Sequence, residues 1–205
     1  MGTISLDLFM TLDGVYQGPG SADEDPSDGF TLGGWQAAFA DAESGSAIMA
    51  GIERMDALLL GRRTYDIFAG YWPQRGTSDR IAGKFNSMDK YVMSRTLDNA
   101  EWDGTAVLPE AEQAAGLRDR YTDIHVVGSG ALAGSLLAAG VLDRLNLFVY
   151  PLTLGAGKRI FADGAGIPAA FTLAAEPQAF PSGVLRLVYE RSGIPVTGLD
   201  AASRG

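Results

Sequence analysis

"VVGSGALAGSLLAAGVLDRLNLFVYP", residues 126–151, decides how this chain is read. An apolar run closes on Gly128-Ser129-Gly130, an alanine- and leucine-rich segment of helical composition follows, and a second apolar run ends at Tyr150-Pro151. That order is strand, turn, helix, strand. Gly128, Gly130 and Ala133 satisfy the G-x-G-x-x-A spacing at which such a turn offers backbone N–H groups to a pyrophosphate. Taken alone the spacing is weak, because a glycine pair also serves simply to make a tight turn. A dinucleotide-binding half of the usual kind places an acid near the end of the following strand to hold the adenosine ribose, and here that strand ends in Val149-Tyr150-Pro151. The turn also comes late in the chain instead of at its start.

The same alternation extends outward on both sides. Upstream, "TISLDLFMTLDG" predicts a first strand that ends at an Asp-Gly turn. The spacing from Trp35 to about Met55 is helical, "DALLLG" is a buried strand ending at Gly61, and "RRTYDIFAGYW" is a short helix. "DKYVMSR" and "TAVLP" read as strands, "EAEQAAGLRDRY" as a helix, and "DIHVVGSG" as a further buried strand. Downstream, "FTLAAEPQAF" and "GVLRLVYER" predict two strands joined by Pro181-Ser182-Gly183. The pattern is that of an α/β fold, with a mostly parallel central sheet and a C-terminal antiparallel hairpin. Residues 1–191 read as a single domain and 192–205 as a flexible tail.

Composition narrows the function. With 205 residues, 46% hydrophobic and 20% charged, the chain has the usage of one soluble globular domain. It has neither the apolar run of a membrane span nor the order of a secretory signal, so the expectation is a cytoplasmic protein. Cysteine is absent and His125 is the lone histidine, which excludes disulfides, thiolate metal sites and multi-histidine zinc sites. No G-x-S-x-G elbow occurs, so a serine hydrolase is not expected. A formal charge of −9 argues against general affinity for nucleic acid or anionic membranes. Part of that charge collects in "SADEDPSDG", residues 21–29, a solvated loop in composition; as a calcium loop it fails, because Asp28 stands where an EF-hand requires glycine. "LGAGKR" is not a phosphate-binding P-loop, since Leu152 precedes Gly157 by five and Arg159 stands where Ser or Thr is required.

Two further strand ends strengthen the glycine turn. Arg62, Arg63 and Thr64 open a helix after one buried strand, and Ser94, Arg95 and Thr96 follow another. Arginine forks match phosphate oxygens, hydroxyls add donors, and helix N-termini supply a favourable dipole. In open α/β sheets ligands bind outside the carboxyl ends of strands, so three such ends suit one extended, multiply charged ligand such as NADPH. Trp35, Tyr65, Phe68, Tyr71 and Trp72 fall in segments expected beside the same cleft. They would stack on a flat heterocycle, or else pack as core. His125, inside an apolar strand, reads as structural.

In order along the chain, "TLDG", "GRRTYD", "VMSRT", "VVGSGAL" and "PLTLGAGKRIF" resemble the dihydrofolate reductase-like superfamily, and within it the RibD C-terminal domain group, from about Ile4 to Arg191. In that family the late glycine turn binds the cofactor pyrophosphate and the first strand supplies the floor under the nicotinamide. The resemblance implies a three-layer dihydrofolate reductase-like fold, a homodimer, and an NADPH-dependent reductase of a small heterocycle (a pterin or pyrimidine of the riboflavin or folate kind) or a carbonyl compound. The nearest named activity is that of 5-amino-6-(5-phosphoribosylamino)uracil reductase. The rival is a non-catalytic NADPH-binding regulatory module. Carried over by residue, Gly61, Arg62, Arg63 and Thr64 contact cofactor phosphates, and Ser94, Arg95 and Thr96 surround the 2′-phosphate. Gly128, Ser129, Gly130, Ala131 and Leu132 line the pyrophosphate turn, and Thr11, Leu12, Asp13 and Gly14 match an S-L-D-G segment near the nicotinamide. Tyr16, Trp35, Tyr65, Phe68 and Trp72 are the expected substrate contacts. The chain departs from the riboflavin-pathway enzymes where D-G-K-x-A becomes "DGVYQ", without the lysine, and it lacks a zinc deaminase motif. Dihydrofolate reductases carry an acid five residues after a tryptophan; here that place is Ala40, with Asp41 next. Asp13, Asp41, Tyr16 and an ordered water are the candidate proton donors.

Overall fold

In the computed structural model, which describes residues 1–76, 78–160 and 168–199, the strands assemble into one sheet of order β4-β3-β2-β5-β1-β6-β9-β7, with β8 pairing β9. These are β1 (Thr3–Thr11), β2 (Ala57–Gly61), β3 (Asp89–Met93), β4 (Thr105–Leu108), β5 (Asp123–Val127), β6 (Arg144–Tyr150), β7 (Ala170–Leu173), β8 (Gln178–Ala179) and β9 (Leu185–Gly193). Every pairing among β1 to β6 is parallel, and β9 joins β6, β7 and β8 antiparallel.

The pleat sorts each strand's residues onto two helical layers. Ile4, Leu6 and Leu8 of β1, Leu59 of β2, Ile124 and Val126 of β5 and Leu145 and Leu147 of β6 face α4 (Gly130–Ala138) and a 3₁₀ helix (Ala111–Asp119), packing on Leu132, Leu136, Ala114 and Leu117. Leu58, Leu60 and Val92 face the other way, toward α1 (Ala42–Arg54), α2 (Arg62–Tyr71) and α3 (Arg80–Ser87), where they meet Ile52, Tyr65 and Phe85. Each fully buried leucine contributes about 1.5–3 kcal/mol. The architecture is thus three-layered α/β with an antiparallel pair near the C-terminus.

Local chemistry sets the boundaries. The helical spacing from Trp35 to Met55 resolves into two elements, a 3₁₀ helix (Trp35–Phe39) and α1, because the Asp41 carboxylate accepts from the Glu43 and Ser44 amides and starts a new helix there. Asp79 does the same for α3, an element the sequence reading passes over, by accepting from the Ile81 and Ala82 amides. The segment read as a helix from Glu110 is 3₁₀ in form, entered through a capping box between Glu110 and Gln113, and Gly116 within it lowers the preference for α. "FTLAAEPQAF" makes two short strands instead of one: Pro177, which has no N–H for a ladder, stands between β7 and β8. Beyond Gly193, residues 194–199 form no helix or strand, and residues 200–205 of the expected tail lie outside the described residues. Among the described residues no helix is long and apolar enough to cross a membrane.

Candidate cofactor and substrate site

The sheet order puts β3, β2 and β5 side by side and parallel, so the three motifs expected to hold phosphates emerge from one edge. At the β5–α4 turn Gly128 and Ser129 both adopt left-handed φ, 60° and 58°. Glycine takes this conformation freely, whereas at Ser129 it is held by partners. The Ser129 hydroxyl donates to Thr64 Oγ1 at 2.6 Å and accepts the Gly61 amide at 3.0 Å, tying the β2–α2 turn to the β5–α4 turn. A Cβ at Gly61 would lie 3.2 Å from that hydroxyl oxygen, which explains the glycine there. The amides of Gly130, Ala131 and Leu132 form the first turn of α4, where N–H groups lack intrahelical acceptors.

The cations of this edge are differently engaged. Arg62 pairs with Asp66 one helical turn on, at 2.9 Å, in an exposed contact of a few tenths of a kcal/mol that a phosphate would readily replace. Arg95 is exposed and makes no salt bridge among the described residues; Ser94 Oγ accepts the Thr96 and Leu97 amides and so fixes the turn that carries it. Arg63 donates through Nε and Nη2 to Asp25 at 2.9 and 2.7 Å. An open cleft of about 770 Å³ runs between α2 and the segment from Leu97 to Asp103, with Arg62, Tyr65, Asn86 and Trp102 among its walls.

Asp25 is the main residue the sequence reading overlooks. It lies in the acidic stretch read as solvated, yet it is buried and gathers Arg63, the Lys158 ammonium at 2.7 Å and the Ser27 hydroxyl at 2.6 Å. Burial acts to raise its pKa, but Lys158, Ser27 and Arg63 outweigh burial and hold the carboxyl well below the usual carboxylate range. Gln17, also buried, donates to the Asp25 and Ser27 carbonyls and accepts the Lys158 amide. The glycine-lysine-arginine segment dismissed as a P-loop therefore fastens the first loop down. The one sequence signal for this was the pairing of an acidic loop with a basic one.

Asp13 belongs to the same fastening. Its carboxylate accepts from the Thr11 hydroxyl, from the Leu154 and Gly155 amides at 3.2 and 2.8 Å, and from Arg159 at 3.1 Å. The Thr11 hydroxyl is the largest influence holding it well below the ordinary carboxylate range. Leu12 donates its amide to the Leu152 carbonyl, and Gly14 turns with φ 80°. Asp41, the N-cap of α1, also accepts from the hydroxyls of Ser182 and Ser44; these, with the cap amides, lower its carboxyl to about 2. Both acids are anchored ionised.

The expected aromatics divide among three places. Tyr16 lies over the start of α4, where a Cβ at Gly130 would meet its ring at 2.6 Å, and burial raises its hydroxyl's pKa. Trp35 is buried edge-on to Tyr150, ring centroids 5.2 Å apart, with its indole N–H on the Gln17 carbonyl. Tyr65 and Phe68 on α2, with Trp72 just beyond it, join the core cluster that includes Phe85 of α3, Phe68 stacked on Phe85 and Tyr65 accepting the Glu101 and Trp102 amides. The structure does not bring these five rings around one pocket.

Comparison with known proteins agrees with this architecture. The chain is 29% identical over 202 residues to the uncharacterized protein YyaP of Bacillus subtilis (strain 168), covering 93% of this chain and 95% of the relative. A putative riboflavin biosynthesis protein from Shewanella sp. PV-4 superposes with a TM-score of 0.65 at 16% identity, covering 93% of this chain and 99% of that one. A pyrimidine reductase-like protein from Corynebacterium diphtheriae gives 0.58 at 14% identity, covering 93% and 92%. Dihydrofolate reductase from Enterococcus faecalis, complexed with NADP(H), gives 0.57 at 16% identity, covering 93% and 97%. The model of the RibD C-terminal domain matches residues 2–185, and the chain belongs to that family.

Proposed function

We propose that this protein is an NADPH-dependent reductase of a small heterocyclic or carbonyl substrate. The observation that carries the reading is the convergence of the β3, β2 and β5 ends, with Arg95, Arg62 and the Gly128–Gly130 turn in a row along one sheet edge. In this reading Ser94, Arg95 and Thr96 take the 2′-phosphate, Arg62, Arg63 and Thr64 take neighbouring phosphate oxygens, and the first-turn amides of α4 take the pyrophosphate. NADPH supplies the hydride. The chain's own work is to bind, orient and exclude water. The family match and the NADP(H)-complexed dihydrofolate reductase of the same fold support it.

Titration of the protein with NADPH and NADH, followed by quenching of its tryptophans, tests the assignment. Micromolar NADPH binding, with NADH at least tenfold weaker (about 1.4 kcal/mol), is expected, and Arg95→Ala should erase the difference. Equal affinities would move the 2′-phosphate elsewhere, and no binding of either would remove the cofactor from the reading. A second reading, an NADPH-binding module without turnover, draws on the two candidate acids being tied up as ionised anchors. NADPH consumption with any pterin, pyrimidine or carbonyl compound excludes it. We further propose a cytoplasmic homodimer by likeness to the family; light scattering checks the dimer.

A further inference from the structure

Ser129 holds a backbone conformation that a side chain disfavours. Its φ is 58°, and among the described residues the only other non-glycine at positive φ is Asp28, on an exposed loop. Aspartate enters that region more readily than most residues, and serine has no such excuse. A glycine would turn the chain between β5 and α4 without strain, as its neighbour Gly128 does at φ 60°. Nor does packing ask for a hydroxyl here, since Ser129 is buried and a buried polar group must be answered by partners. Strain retained in this way points to what the side chain does.

Its partners fix the direction of a chain of hydrogen bonds. The Gly61 N–H is a donor only, and it donates to Ser129 Oγ at 3.0 Å. The single Ser129 proton has two acceptors in reach, Thr64 Oγ1 at 2.6 Å and the Val127 carbonyl at 3.5 Å, and the shorter contact takes it. Thr64 Oγ1 therefore accepts, and its own proton must be given elsewhere. Helical threonines often return that proton to the carbonyl one turn back; among the described residues Thr64 makes no such bond, and Ser129 is its one side-chain partner. Thr64 is half-buried in the first turn of α2, tied through Ser129 to the start of α4, and both helix starts carry N–H groups without intrahelical acceptors.

We propose that Ser129 is a positioning residue of the phosphate edge: the relay from Gly61 N–H through Ser129 O–H makes Thr64 an outward donor, aimed at a phosphate oxygen. Ser129 touches no phosphate itself. It serves the cofactor of the reductase reading, on which its role rests, by setting which way its neighbour's proton points. Each donor in such a chain polarises the next, so Thr64 holds an anion better than an isolated hydroxyl would. The same tie sets the spacing of the two turns, because a Cβ at Gly61 would press on the Ser129 hydroxyl at 3.2 Å.

The test compares wild type with Ser129→Gly, Thr64→Val, the double variant and Thr64→Ser, by tryptophan quenching with NADPH and NADH and by amide chemical shifts with inorganic pyrophosphate. Ser129→Gly should bind NADPH about fivefold more weakly, the scale of one hydrogen bond to a charged group. Thr64→Val should lose as much and the double variant no more, because both act through one hydroxyl. Thr64→Ser, which keeps that hydroxyl, should bind as wild type does. NADH should weaken in step with NADPH, since the pair serves phosphates that both carry. Pyrophosphate should shift the Gly61 and Ser129 amides in the wild type and bind more weakly in Ser129→Gly. Wild-type affinity in Ser129→Gly, or an additive double variant, overturns the relay. Should circular dichroism find Ser129→Gly unfolded, Thr64→Val against Thr64→Ser decides, and equal affinities overturn the proposal. A wild type that binds pyrophosphate at this turn but not NADPH sinks the reductase reading and leaves the relay standing; one that binds neither sinks both.

Discussion

Neutralising Asp25 should loosen the fold and tighten the cofactor together. The carboxylate accepts from Arg63, Lys158 and Ser27, with 10% of its own side chain exposed against 56% for Arg63 and 28% for Lys158. A charge-assisted hydrogen bond in a buried setting contributes about 1.5–3 kcal/mol. The exposed Arg63 contact must be discounted toward the surface range of about 0.2–1 kcal/mol. Asparagine would retain the Ser27 contact and shed the desolvation penalty of the charge, which leaves a net loss for Asp25→Asn of about 2 kcal/mol. For a domain of this length that lowers Tm by roughly 4–8 °C. The sign with pH is fixed: a carboxyl with depressed folded pKa contributes stability above the ordinary Asp pKa, and loses it as pH falls from there toward the folded value. The gap between wild type and variant, read by urea unfolding, should thus be full at pH 6–7 and shrink below about pH 4. Meanwhile Arg63 is released and a negative charge leaves the phosphate edge, so NADPH should bind two- to fivefold more tightly, about 0.4–1 kcal/mol. A Tm within 1 °C of wild type refutes the hub. Weaker NADPH binding refutes the view of Asp25 as competitor, and makes it the group that aims Arg63.

His125 is the lone histidine, so its ring signals in ¹⁵N-edited spectra need no assignment, and they should not titrate between pH 5 and 8; a midpoint below 7 would refute the doubly paired imidazolium. Because its folded pKa is raised above the unfolded 6.5 to about 9, it contributes roughly 3 kcal/mol that is fully present below pH 6.5 and lost as pH rises through 9. Lys90 is fully buried and donates to the Phe85 and Met88 carbonyls at 3.0 and 2.7 Å, so Lys90→Met, which strands those acceptors, should destabilise by about 2–4 kcal/mol in denaturant melts. Gly130→Ala forces a methyl into the Tyr16 ring and should lose about 1–3 kcal/mol, most of it recovered in a Tyr16→Ala background; an additive double mutant would refute the contact.

How much of this was legible in the sequence differs by kind of interaction. Strands covered on both faces announced themselves, as "ALLLG" of β2 did, because continuous apolar runs have one comfortable place in an α/β sheet. The glycine turn was legible for the same local reason. α3 was not, since its eight residues bury only Ala82 and Phe85 and its start depends on the Asp79 cap. Within the site, Arg62, Arg63 and Ser129 could be placed because each sits at a strand end. What Asp13 and Asp25 do could not, because the partners that tie them to the later loop, Gly155, Arg159 and Lys158, lie more than a hundred residues away.

β1 held a signal that a local reading passes over. Its alternation in "TISLDLFMT" suits a strand with one wet face, yet it lies between β5 and β6 with helices on both sides. A polar stripe on an interior strand contradicts its surroundings unless each group is answered. Thr11 is answered by Asp13 and the Val15 amide, and Asp7 by His125 and Asn146; the Ser5 hydroxyl finds no partner among the described residues. Hydrophobic packing gives no reason for such residues, since an apolar trio at positions 5, 7 and 146 would satisfy the core without any charge to compensate. Where local pattern and position in the sheet disagree this sharply, function is the first explanation to test. In this chain the disagreement falls on the floor beneath α1, beside the turn at Gly128.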